Sequence, residues 1–243
     1  MNTTIEPRTY SIIAGVSYLI IFFAAIFANF FVIESLLGDP LATVQQEHYY
    51  VRAGIMAFII TVVLDVVIAW ALYELFKGNS LSGLSTLFRM MHAAIMGVAI
   101  FSLPSVLTSN TADQILEQVQ TFNTTWLIGL FFFGIHLVLL ANIIGKPKII
   151  TIFLAIAGVM YMLDTTAHFA LPNYESYGDI FLMLVAIPSI LGEMSFAIWL
   201  LAKGGSNNNG VGVSIANIAL PNQPSPLQCT SEFKVEENFY MRS

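Results

Sequence analysis

Five residues carry chemistry that the apolar sequence around them does not need: Asp65, Arg89, His92, His136 and Glu193. Each interrupts a long run of Ala, Ile, Leu, Val and Phe. A charge near the centre of a bilayer costs about 2.5–3.5 kcal/mol even on the lenient insertion scale, so such residues face a bundle interior, pair with one another and mark sites. Arg89 and His92 are three apart and share one helix face. Asp65 and Arg89 lie on either side of the short turn Lys77-Gly78-Asn79-Ser80, which makes their helices antiparallel neighbours. The pair then either neutralises itself and fixes helix register, or leaves Arg89 to anchor an anionic ligand. Asp65 and Glu193 outnumber the one arginine, and a buried acid left over suits a proton relay or a general acid.

The histidines open a second chemistry. His92 and His136, with a carboxylate from Asp65 or Glu193, make a three-ligand set for zinc with one open position. A metal-bound water there would serve a hydrolase acting on a lipid-like substrate. The ligands come from separate helices, so no spacing motif supports this set, and a lone buried histidine more often hydrogen-bonds a neighbour. Asp164 and His168, four apart on one face, form a further group with Arg52, Asn29 and Glu34 at similar or shallower depth. Together these five read either as the mouth of a cavity or as ordinary interfacial solvation.

These residues need a membrane-spanning scaffold. The chain has 243 residues, of which 57% are hydrophobic and 10% charged, against about 25% charged in ordinary soluble domains. Its mean hydropathy is +0.77. So little charge cannot cover a soluble globule of this size, which excludes a disordered chain and leaves almost no room for a soluble enzyme. The net charge of −6 offers no basic surface to nucleic acid. The single Cys229 excludes an intrachain disulfide and a cysteine-rich metal site.

A helix needs about 20 apolar residues to cross a bilayer. Six segments qualify, roughly 9–33, 51–76, 81–107, 124–145, 149–169 and 178–202. The first is too long for a signal-peptide core and reads as a retained helix. The runs lack the alternation of barrel strands. Arg8, Lys77, Lys146, Lys148 and Lys203 fall at one set of ends, and the opposite connections 34–50, 108–123 and 170–177 contain no Lys or Arg. The positive-inside rule places both termini in the cytoplasm. The fold expected is an all-α integral membrane protein, a six-transmembrane-helix bundle over residues 1–203. Residues 204–243 begin Gly204-Gly205-Ser206-Asn207-Asn208-Asn209-Gly210 and read as a disordered cytoplasmic tail.

Finer features bear on the site. The 112–122 stretch is amphipathic and reads as a surface helix or a polar loop. Pro104 and Pro188 are expected to interrupt the third and sixth spans, and Pro188 lies five residues before Glu193. Ala14-Gly15-Val16-Ser17-Tyr18-Leu19 is echoed by Ala157-Gly158-Val159-Met160-Tyr161-Met162, as in a weak internal repeat. At 1.5 Å per residue, Asp65, Arg89, His136 and Glu193 lie roughly 13–17 Å from the basic helix ends, with Tyr18 in the same layer and His92 about a turn further out.

An ordered set of short motifs runs along the chain: Ala14-Gly15-x-x-Tyr18, Phe88-Arg89 with His92, Phe133-Gly134-Ile135-His136, Gly158-Val159-Met160-Tyr161-Met162-Leu163-Asp164, and Gly192-Glu193-x5-Trp199-Leu200-Leu201. This set resembles the bacterial domain of unknown function 4386 family over about residues 8–203. The resemblance implies an all-helical inner-membrane protein and brings no activity with it. The residues themselves point to a polar intramembrane pocket of Tyr18, Asp65, Arg89, His92, His136, Asp164 and Glu193 that binds or moves a small solute or protons. The other readings are the zinc-dependent hydrolase, with His92, His136 and Glu193 as ligands, and an accessory subunit whose polar layer is structural. The expected surroundings are the lipid bilayer and a small solute, without a cofactor in the leading reading, and a homo-oligomer is compatible with all three.

Overall fold

The computed structural model describes residues 6–205. The tail expected over 204–243, with Cys229, lies outside the described residues apart from its first two glycines. Among the described residues the chain is helical, without strands: α1 (Pro7–Ile26), a π-helical stretch (Phe27–Ile33), α2 (Glu34–Gly38), α3 (Pro40–Gln46), α4 (His48–Phe76), α5 (Ser82–Ile100), α6 (Leu103–Val106), α7 (Ala112–Ile144), α8 (Lys148–Ala170), a 3-10 turn (Tyr174–Tyr177) and α9 (Gly178–Ala202). Six helical stretches are long and apolar enough to cross a membrane. Local chemistry sets several starts. Pro7 opens α1, where a missing N–H leaves no bond unmade. The Asp39 carboxylate accepts from the Ala42 amide at 3.2 Å to start α3, and the Thr111 hydroxyl accepts from the Gln114 amide at 3.3 Å to start α7.

Two elements differ from the sequence expectation and one follows it. Residues 112–122 are neither a surface helix nor a loop but the first turns of the fourth span, whose 33 residues run about 50 Å. Their apolar stripe continues in phase with the rest of the span, so Ile115, Val119 and Phe122 are buried. Pro104 does interrupt the third span: the helix ends at Ile100 and resumes as α6, since proline has no N–H for the Ile100 carbonyl. Pro188 does not end the last span. Helix α9 runs through it, and the Ser189 hydroxyl donates to the Val185 carbonyl (2.7 Å) and the Ala186 carbonyl (3.2 Å) one turn back.

The six spans form a ring. Each packs on its chain neighbours, α1 on α4, α4 on α5, α5 on α7, α7 on α8 and α8 on α9, and α9 returns to α1. A clamp at the helix ends closes the ring. Arg8 donates to the carbonyls of Leu200 (2.9 Å), Leu201 and Gly204 (2.9 Å), and the Ser11 hydroxyl donates to Leu200 (2.9 Å). These carbonyls lie at and just beyond the C-terminal end of α9, where a cation and a hydroxyl both stabilise them. A Cβ on Gly204 would lie 1.8 Å from the Ser11 oxygen, so only glycine fits beneath the clamp.

Two apolar clusters fill the ring. One, towards the basic ends, joins Ala14, Ile68, Leu72, Leu137, Leu154 and Phe196. The other, towards the opposite ends, joins Val32, Leu36, Phe58, Leu103, Val119 and Phe122, and α8 and α9 contribute none of its buried residues. On α4 the first cluster begins at Ile68 and the second stops at Phe58, with Asp65 between them. The polar residues therefore occupy the seam between two apolar cores.

The tightest crossing joins α7 to α8. A Cβ on Gly134 would meet the Gly158 carbonyl at 2.5 Å, and a Cβ on Gly158 would meet that of Gly134 at the same distance. Small residues let membrane helices approach this closely, because packing rather than water exclusion drives their association. Gly158→Val is expected to destabilise the protein by about 1–3 kcal/mol, as overpacking does. Gly97→Ala, with nothing within 4 Å, should be near neutral. Denaturation in detergent micelles measures both, and equal effects would contradict the crossing.

Candidate functional site

All six spans send a side chain to the seam. Tyr18 comes from α1, Asp65 from α4, Arg89 and His92 from α5, His136 from α7, Tyr161 from α8 and Glu193 from α9. Arg89 is at the centre and is 1% exposed. Its NH2 group donates to Asp65 Oδ1 at 2.5 Å. Its NH1 group donates to the Tyr18 hydroxyl at 2.6 Å and to His136 Nε2 at 3.2 Å. The guanidinium carbon is 4.8 Å from the Tyr18 ring centroid and 5.2 Å from that of Phe133, so the cation is also held between aromatic rings.

The other groups follow from this arrangement. Guanidinium groups only donate, so His136 Nε2 accepts and its proton is on Nδ1. Nδ1 is 2.9 Å from both the Ser85 carbonyl and the Ser85 hydroxyl oxygen. His136 is therefore a neutral imidazole with both nitrogens engaged. Asp65 turns its second oxygen to His92 Nε2 at 3.6 Å. Two buried atoms in the layer have no hydrogen-bond partner among the described residues, Arg89 Nε and His92 Nδ1.

Glu193 is placed differently. Tyr18, Asp65, Arg89, His92 and His136 are buried, while Glu193 is half-buried. It makes no ion pair among the described residues. It interacts with the Tyr161 side chain, which also meets Ser189, and it feels the charges of Arg89 and Asp65. The layer thus has a sealed interior around Arg89 and a partly open edge between α8 and α9.

Asp164 is not in this layer. It is buried nearby on α8, where its Oδ1 accepts from the Tyr174 hydroxyl at 2.6 Å. The His168 ring packs on Tyr174 with centroids 4.7 Å apart. Arg52 is exposed, and the Asn29 amide donates back to its own helix at Ala25. The structure thus gathers Asp164 with His168 and Tyr174, and does not bring Arg52 or Asn29 to them.

The hydrolase reading required His92, His136 and a carboxylate to converge. Among the described residues no group of three His, Cys, Asp or Glu side chains could hold a metal ion. The reason is local: His136 faces a guanidinium with one nitrogen and Ser85 with the other. The carrier reading asked for a cavity at Asp65 or Glu193. Asp65 is sealed, and an apolar cleft lined by Val32, Ile33, Val51, Gly54, Phe58 and Leu103 lies in the other cluster, clear of the layer.

Sequence reasoning missed three residues of this site. Ser85 lies one turn before Arg89 on the same face, a spacing that would have found it. Tyr161 stands in the repeated motif at the place of Tyr18, and both tyrosines reach the layer. Phe133 carried no polar signal at all.

Six apolar spans around a polar seam define a multi-pass helical membrane protein. The chain belongs to the family described as a domain of unknown function (DUF4386), which matches residues 13–204. It is also 29% identical over 157 residues to an uncharacterized protein of Archaeoglobus fulgidus, covering 62% of this chain and 83% of that one. The likeness therefore reaches an archaeal protein as well as the bacterial family the motifs resemble. No solved structure matches it.

The sealed pair makes a direct prediction. Asp65→Asn leaves a buried guanidinium without its anion and is expected to destabilise the protein by about 3–5 kcal/mol. Replacing both partners with apolar residues, Asp65→Leu with Arg89→Met, should recover most of that loss, because no unpaired charge remains. A double-mutant cycle in detergent measures the coupling, and additive losses would contradict the ion pair.

Proposed function

We propose that this protein is a multi-pass protein of the cytoplasmic (inner) membrane, with both termini inside, and that Glu193 exchanges protons as the protein binds or moves a small solute. The orientation rests on Arg8, Lys77, Lys146, Lys148 and Lys203, which share one set of helix ends, opposite connections without Lys or Arg. One observation carries the functional reading: of two carboxylates and one guanidinium in the layer, Asp65 pairs with the guanidinium, and Glu193 has no ion pair among the described residues at the half-buried edge. A carboxylate kept at membrane depth without a counter-ion is expensive, and such groups typically handle protons or ions. Asp65 and Arg89 then serve as a fixed electrostatic frame, and Glu193 is the member that changes charge.

The sealing of Arg89 favours a second reading, in which the layer is a device for helix register. The two readings separate at Glu193. In lipid bilayers, pH-difference infrared spectroscopy should show a protonated-carboxyl band that titrates, disappears in Glu193→Gln and persists in Asp164→Asn. A spectrum unchanged by Glu193→Gln would leave the register reading.

A further inference from the structure

We infer that Phe133 is a gate, an aromatic wall that keeps the exchangeable proton of Glu193 apart from the sealed polar centre around Arg89. The inference rests on the proton-exchanging role proposed for Glu193. It starts from the position of one ring. Phe133 is 6% exposed and lies on α7 at the seam. It packs against four groups of the layer, Arg89, His92, His136 and Tyr161. The Arg89 guanidinium carbon is 5.2 Å from its centroid. The His92 ring is 4.8 Å away and tilted by 36°, and the His136 ring is 5.8 Å away and stacked at 28°. On its other contact Tyr161 meets it edge-on, with centroids 5.6 Å apart. Tyr161 is in turn the neighbour of Glu193 and Ser189.

Phe133 therefore contacts members of two polar sets of different character. One is the buried set of Arg89, Asp65, His92 and His136. The other is the edge set of Tyr161, Ser189 and Glu193. A phenyl ring carries neither donor nor acceptor and cannot pass a proton. It can still hold the cation through its face, which a Leu or Val cannot do. Beyond the wall His92 Nδ1 and Arg89 Nε have no hydrogen-bond partners among the described residues. Opening the wall would join these groups to the edge through a polar-lined cavity, and polar cavities of side-chain size take up water. A water chain there would let the Glu193 proton pass to the His92 imidazole, leaving a carboxylate and an imidazolium, with Asp65 beside the new cation.

The test uses full-length protein in liposomes, with an imposed pH gradient read by a trapped pH-sensitive dye. Phe133→Ala is expected to let protons through several-fold faster than the unaltered protein, while Phe133→Leu, which keeps most of the bulk, stays tight. Adding Glu193→Gln to Phe133→Ala should return the rate to that of the unaltered protein. Phe133→Val gives the same comparison where Phe133→Ala does not reconstitute. Truncated variants as tight as the unaltered protein would overturn the gate, and so would a leak that survives Glu193→Gln, since that leak comes from general loosening. The infrared titration of Glu193 is read on separate samples. A titrating Glu193 band together with a tight Phe133→Ala removes the gate alone, whereas a missing band removes the reading on which it rests.

Discussion

The structure is organised by the need to hold one guanidinium inside a membrane. Arg89 is among the largest fully buried side chains in the protein, and an uncompensated charge at that depth would cost more than most single contacts return. Compensation comes from Asp65 on α4, Tyr18 on α1, His136 on α7 and the rings of Tyr18 and Phe133. Three helices are thereby tied to one planar group on α5. Sliding α5 by one turn against any of them would carry the cation about 5.4 Å from its partners. Apolar packing in lipid is weakly directional, so the polar contacts fix a register that leucine and isoleucine alone would leave loose.

This centre also explains the division of the core. Two apolar clusters fill the ring, and the polar seam lies between them. The cluster away from the basic ends is built by the π-helical stretch, α4, α5, α7 and the short helices α2, α3 and α6, without buried residues from α8 or α9. The last two spans pack into the first cluster through Leu154 and Phe196, and are held further by the Gly134–Gly158 crossing, the Arg8 clamp and the Tyr174–Asp164 hydrogen bond. The seam is partly open where these less enclosed spans meet, and Glu193 and Tyr161 lie at that place. Ion pairing and position thus separate two carboxylates of similar chemistry into a fixed one and a changeable one.

Much of this was legible in the chain. Charges in apolar runs marked Asp65, Arg89, His92, His136 and Glu193 without any structure, because such residues are costly enough to need a reason. The four-residue turn at Lys77 brought Asp65 and Arg89 to adjacent helices. The length of the fourth span was misjudged because Gln, Glu, Asn and Thr over 112–125 lower its hydropathy, although its apolar stripe never loses phase. Residue type alone does not reveal that one His136 nitrogen faces a guanidinium.

The sequence by itself determined the class of protein, the number of spans and the polar residues that share a depth, since these depend on hydropathy, length and rise per residue, all local properties. Only the tertiary structure decided which carboxylate takes the arginine, that His136 is a neutral acceptor, that Asp164 pairs with Tyr174, and that Phe133 contacts both Arg89 and Tyr161. Each depends on how helices rotate about their axes and on where side chains distant in sequence meet. That rotation is set by close contacts such as Gly134 on Gly158, which leave no periodic signature in the chain.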